Sequence, residues 1–96
     1  MDYKEFLKED RRLVILRLLS ELPSYRSNTS ILTTGLDHMG HSASRDQVKS
    51  DVAWLAEQDL VVTDDVGSVL VVQLTERGQD VASGRAVVPG VKRPGA

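Results

Sequence analysis

The fold of this chain is decided by residues 44–78, which read SRDQVKSDVAWLAEQDLVVTDDVGSVLVVQLTERG. The first part has apolar residues at helical spacing and predicts an amphipathic helix. An apolar strand at 60–63, a turn at 64–68 with aspartates and a glycine, and a β-branched return strand at 69–74 predict a β-hairpin. The stretch therefore predicts a helix followed directly by a hairpin.

The boundaries of this stretch carry local signals of their own. Ser44 can cap the helix, with Gln47 as its capping-box partner, although Ser42 is a competing cap. We expect the helix to end near Asp59, a residue type that tolerates the left-handed conformation. Thr75 after the hairpin can cap a last short helix, which Gly84 would end.

The N-terminal part predicts a long helix from an Asp2 cap to about Leu22, before Pro23. Its apolar residues cover more than one face, so this helix must be buried on more than one side. Either the other helices wrap it, or a second subunit covers the excess, in a homodimer that Phe6 and Leu7 would extend. The core stripe is Ile15, Leu18, Leu19 and Leu22, widened by Leu13, Val14 and Leu16.

A second helix is predicted from an Asn28 cap to about Met39, after a polar loop at 24–28. Residues 41–43 form a turn short enough for helix-turn-helix geometry. The expected buried face consists of Ile31, Leu32, Leu36 and Met39. The fold class is thus α+β, mostly α, with a three-helix core, a hairpin and a short C-terminal helix. We expect a domain at 1–84 and a flexible basic tail at 85–96.

Composition removes several function classes. There is no cysteine, which excludes a disulfide framework and a thiolate metal site. No apolar run could span a bilayer, and the start MDYKEFLKED is too acidic for a signal peptide, so we expect a cytoplasmic protein. His38 and His41 have ligand spacing but no evident third ligand, and the glycines form no phosphate loop. We expect neither an enzyme nor a cofactor.

The same residues resemble the winged helix-turn-helix regulators of the MarR, PadR and ArsR kind. The resemblance rests on Trp54-Leu55, on Leu60-Val61, and on residues 72–78, VQLTERG, which look like the LTxxG signature that closes the wing. The whole chain also resembles the small ArsR-like winged-helix proteins of Mu-like phages and prophages. Two departures are Asp59, where many such regulators have Gly, and the absence of the cysteines that metal-sensing members use.

The resemblance implies a sequence-specific DNA-binding transcriptional regulator, of phage or prophage type, with double-stranded DNA as its partner. The helix from Ser44 would be the recognition helix in the major groove, and the hairpin tip at 64–68 would be the wing. Arginine can pair with guanine and glutamine with adenine, whereas lysine and serine can reach phosphates or bases. The implied DNA-binding residues are Ser44, Arg45, Gln47, Lys49, Ser50 and Ser68.

Charge argues against DNA binding. The net charge is −2, and residues 27–84 carry three basic and nine acidic side chains. Asp64 and Asp65 are expected at the wing tip, where a phosphate would lie. The other basic residues are outside this region, and the tail adds Arg85, Lys92 and Arg93. A second function class therefore stays open, a winged-helix protein-interaction or assembly module without DNA binding.

Overall fold

The computed structural model describes residues 2–95, which form one α+β domain with four helices and a three-stranded antiparallel sheet. Most of its regular structure is helical, as the sequence predicted. The strand order is β1-β3-β2. The helices are α1 (Tyr3–Ser20), α2 (Thr29–His38), α3 (Arg45–Glu57) and α4 (Glu76–Ser83), and the strands are β1 (Arg26–Asn28), β2 (Val61–Val66) and β3 (Val69–Leu74).

Side chains cap the helices as predicted. The Asp2 carboxylate accepts a hydrogen bond from Glu5 N, and the Asn28 side chain accepts one from Ile31 N. Ser44 and Gln47 form a reciprocal capping box at the start of α3. These bonds satisfy backbone N–H groups that a helix start otherwise leaves without a partner. The cap residues therefore fix where each helix begins.

The segment that follows the hairpin is fixed by a close backbone contact. The Thr75 hydroxyl donates to Asp59 O at 2.7 Å and accepts from Gly78 N at 2.9 Å. A Cβ at Gly78 would lie 2.1 Å from Leu60 O, so only glycine allows α4 to start this close to the beginning of β2. This contact is the physical reason for the threonine and glycine in LTERG.

The apolar surface of α1 is covered within one chain. Helix α1 contacts α2, α3, α4 and β3, and five of its apolar side chains are buried in the shared core. Its buried residues are Leu13, Val14, Ile15, Leu16 and Leu19, whereas Leu18 and Leu22 are half-buried. The broad apolar surface of α1 is therefore covered by other elements of the same chain, which was the first of the two alternatives.

Residues 85–95, expected to be a flexible tail, instead return along α1. Val88 and Val91 are buried in the core cluster. Lys92 N donates to Glu9 O at 3.1 Å, and Arg12 Nη1 donates to Gly90 O at 3.0 Å. Burial of the two valines stabilises the segment against the core. The proline and glycine content of the segment had indicated a flexible tail instead. We call residues 86–92 the strap.

Three further expectations need correction. Residues 26–28, expected in a polar loop, form β1 and pair with β3. Asp64 and Asp65, expected in the turn, belong to β2 opposite Val71 and Leu70, so that only residues 67–68 connect the strands. Ile31 on α2 and Met39 at its C-terminal cap were expected in the core but are 55% and 61% exposed. A ten-residue helix turns only part of its apolar surface towards one core.

Candidate functional site

A groove lies between the start of α2, the first turns of α3 and the β2–β3 turn. Its volume is about 260 Å³. None of its lining residues, all within the described chain, carries a carboxylate. Its lining is formed by Asn28, Thr29, Ser30, Arg45, Lys49, Ser68 and Val69. We call it the cationic groove, because its two charged side chains are Arg45 and Lys49.

Three of the six residues predicted to bind DNA meet in this groove. Arg45 and Lys49 are one turn apart on the exposed side of α3, and Ser68 reaches them from the β2–β3 turn. The hairpin therefore folds back so that its turn and α3 form one surface. Arg45 Nη2 donates a hydrogen bond to Ser30 Oγ on α2 at 2.9 Å, which directs the guanidinium towards the groove.

The other three predicted residues are placed differently. Ser44 and Gln47 are bonded to each other, with Ser44 N donating to Gln47 Oε1 at 3.0 Å and Gln47 N donating to Ser44 Oγ at 3.1 Å. The Gln47 side chain lines a separate cavity beside the first turns of α1. Ser50 is exposed on α3, outside the lining of the cationic groove. Gln47 thus serves as a helix cap in this structure.

Asn28 and Ser30 belong to the groove but were missed from the sequence. Asn28 was identified only as a cap, and Ser30 was not singled out. Their contribution depends on how α2 packs against α3, which is a tertiary contact rather than a local pattern. The one available signal was the predicted helix-turn-helix, which brings the start of one helix close to the next.

The opposite side of α3 holds a second charge cluster, which we call the Asp51 cluster. Asp51 is only 3% exposed and accepts hydrogen bonds from the Nε atoms of Arg11 and Arg12, the latter at 3.3 Å. The guanidinium of Arg12 also lies 3.9 Å above the centroid of the Trp54 ring, a cation–π distance. Arg11 and Arg12 are among the basic residues that the sequence places outside residues 27–84, and the fold bonds both of them to this carboxylate.

The Asp51 cluster changes the charge argument against DNA. One of the nine acidic residues between 27 and 84 is neutralised by two arginines from α1. The two wing aspartates lie within β2 rather than in the two-residue turn that borders the groove. No carboxylate of the described chain lines the groove around Arg45 and Lys49, although Asp46 is exposed on the same helix.

A third polar cluster joins α1 to the strap and to the segment before α3. His41 Nε2 lies 2.7 Å from Asp10 Oδ2, and Lys92 Nζ lies 3.3 Å from Asp10 Oδ1. Burial raises the pKa of Asp10, but the hydrogen bonds and charges of His41 and Lys92 together bring it below its ordinary value of 3.8. Within residues 2–95, no group of three or more potential ligands that could hold a metal ion is found.

Outside the groove, the hairpin presents apolar side chains to solvent. The outer face of the sheet pairs Val66 with Val69 and Val62 with Gln73. Val62 and Val66 are 56% and 53% exposed, respectively. Asp64 lies on this same face, because side chains alternate along a strand. None of the described helices is long and apolar enough to cross a membrane.

Comparison with known proteins identifies relatives over most of the chain. The uncharacterized protein gp26 of Escherichia phage Mu is 54% identical over 90 residues, which cover 94% of this chain and 93% of the relative. An uncharacterized protein of Haemophilus influenzae is 42% identical over 78 residues, which cover 80% of this chain and 76% of that protein. No family model matches the sequence.

Proposed function

This chain belongs to the family of the uncharacterized protein gp26 of Escherichia phage Mu. We propose that it is a sequence-specific DNA-binding regulator with a winged helix-turn-helix. Helices α2 and α3 form the helix-turn-helix, and the β2–β3 hairpin is the wing. Helix α3 enters the major groove of the duplex. The phage relative fits a regulator of phage type.

The observation that carries this proposal is the cationic groove. Two cations, Arg45 and Lys49, and the hydroxyl of Ser68 converge there from a helix and a hairpin turn. Within residues 2–95, neither cation forms an ion pair with a carboxylate, unlike Arg11 and Arg12. Cations that the fold does not neutralise are available to a polyanion, and phosphate neutralisation supplies much of the affinity for DNA.

A symmetric dimer would suit this function, since helix-turn-helix dimers bind two half-sites. The N-terminal end of α1 supports the homodimer proposed from the sequence. Tyr3 and Phe6 are 74% and 41% exposed there, whereas the buried residues of α1 lie in its C-terminal half.

The proposal is tested by fluorescence anisotropy with labelled duplexes that span the DNA flanking the protein's own coding sequence, at low and near-physiological salt. We expect saturable binding that prefers one duplex by about a thousandfold or more and weakens as salt rises. An absence of binding to any duplex at low salt would contradict the proposal.

A second function is favoured by the outer face of the hairpin. Val62 and Val66 are exposed there beside Asp64, a combination suited to protein contact. In this alternative, the domain is a protein-interaction or assembly module whose acidic hairpin meets a basic partner. Val62→Ser with Val66→Ser would then abolish partner binding, whereas Arg45→Gln would leave it unchanged.

A further inference from the structure

The direction of the Arg45 side chain separates two possible roles in DNA binding. A base-reading arginine must extend from α3 into the major groove and meet O6 and N7 of a guanine. Here the guanidinium is held towards α2 by its bond to Ser30 Oγ at 2.9 Å. This bond uses one of the five N–H donors of the guanidinium and leaves the others for a ligand in the cationic groove.

The rest of the groove fits a compact anion. Lys49 places an ammonium one helical turn beyond Arg45, and Ser68 adds a hydroxyl from the hairpin turn. The groove has about 260 Å³ and no lining carboxylate. A base edge presents a flat pattern of donors and acceptors, whereas a phosphate presents several acceptor oxygens that a guanidinium can bind bidentately. Cations and hydroxyls from three elements match the phosphate.

We propose that Arg45 and Lys49, positioned with the hydroxyls of Ser30 and Ser68, bind one phosphate of the DNA backbone and do not read bases. This inference rests on the proposed DNA-binding function and assigns the groove its role within it. The phosphate contact sets the register of α3 on the duplex. Asp46, Ser50 and Ala53 lie on the exposed stripe of α3 next to the groove, which leaves them free to meet base edges.

The DNA part of the test uses a duplex selected by the wild-type protein from a random-core library, and the same duplex with single base-pair changes. The variants are Arg45→Gln and Lys49→Gln. The matched control is Arg17→Gln, which removes an exposed arginine from α1. Affinity is measured for every duplex across a series of salt concentrations.

We expect each groove variant to weaken binding to all duplexes by a similar factor, about tenfold or more, and to lower the slope of log K against log salt by about 1. The preference for the selected duplex should stay unchanged. The Arg17→Gln control should keep the wild-type slope. Loss of preference at one base pair in Arg45→Gln, with an unchanged salt slope, would overturn the phosphate assignment.

Inorganic phosphate provides a probe that does not depend on DNA binding. In a titration followed by amide NMR, we expect shifts at Ser30, Arg45 and Ser68 that disappear in the Arg45→Gln/Lys49→Gln double variant. Absence of these shifts in the wild type would overturn the anion site even if the protein binds duplexes. Shifts without any duplex binding would overturn the proposed function, and with it the backbone assignment, while leaving an oxyanion groove.

Discussion

The two sides of α3 differ in how their charged side chains are arranged. On the inner side, Asp51 is 3% exposed and binds two arginines that come from α1. On the outer side, Arg45 and Lys49 share a groove that no carboxylate lines in the described chain. A count of charges along the sequence therefore cannot identify a binding face. What matters is which charges the fold pairs and which it leaves for a partner.

The largest effect is expected on the inner side, from Asp51→Asn. This change keeps the shape of the side chain but removes the charge that compensates Arg11 and Arg12, whose side chains are only 15% and 12% exposed. We expect a loss of about 3–5 kcal/mol in the free energy of unfolding, measured by urea denaturation. The matched variant Asp46→Asn, exposed on the same helix, should stay within about 0.5 kcal/mol of the wild type. A loss below about 1 kcal/mol in Asp51→Asn would show that the cluster does not stabilise the fold.

The next effect concerns the strap that covers the inner cluster. Gly90 has φ +100°, and a Cβ there would lie 2.6 Å from the Trp54 ring, so Gly90→Ala must displace one of them. We expect destabilisation by about 1–3 kcal/mol, together with altered fluorescence of Trp54, the single tryptophan. Gly95→Ala, whose Cβ would have no neighbour within 4 Å, should change neither quantity. Equal behaviour of the two variants would mean that the strap is not anchored at Trp54.

A smaller effect is expected at Asp10, which links the strap to His41. The pKa of Asp10 in the folded state lies below its ordinary value of 3.8. Its contribution to stability is therefore present above pH 3.8 and is lost as the pH falls through the folded-state pKa. Urea denaturation between about pH 2 and 6 should show a shallower loss of stability towards acid in Asp10→Asn than in the wild type. Identical pH profiles for the two proteins would show that the ionised Asp10 side chain does not stabilise the fold.

The smallest effect on stability is expected on the outer side. Arg45→Gln removes an exposed charge whose partner in the described chain is the Ser30 hydroxyl, so the free energy of unfolding should change by no more than about 0.5 kcal/mol. The same variant should lose DNA affinity, which separates binding from folding. If Arg45→Gln lowered the free energy of unfolding as much as Asp51→Asn does, the proposed difference between the two sides of α3 would be wrong.

Local features of the fold could be predicted from the sequence. The caps at Asp2, Asn28 and Ser44 follow from side chains that bond backbone groups three residues away. The hairpin follows from two β-branched runs around a glycine. In these cases, the interacting groups are close in the sequence, so the pattern contains the information.

Features that join distant residues could not be predicted in this way. Asp51 meets arginines about 40 residues earlier in the chain, and its spacing on α3 next to Val52 gives no sign of a buried carboxylate. Strand β1 forms because its backbone pairs with the edge of β3, which is distant in the sequence. The groove residues on α3 were predicted through the family resemblance, whereas Ser30 became visible only when α2 and α3 were packed together.

The most direct test of the central claim is amide NMR mapping of the wild-type protein with its selected duplex. We expect the largest shifts at residues 28–30, 45–50 and 67–69, which surround the cationic groove and the adjoining exposed turns of α3. Shifts at Asp51 and along the strap should be small. Shifts concentrated on the outer face of the hairpin, or an absence of shifts at the groove, would contradict the claim that this groove is where the protein meets DNA.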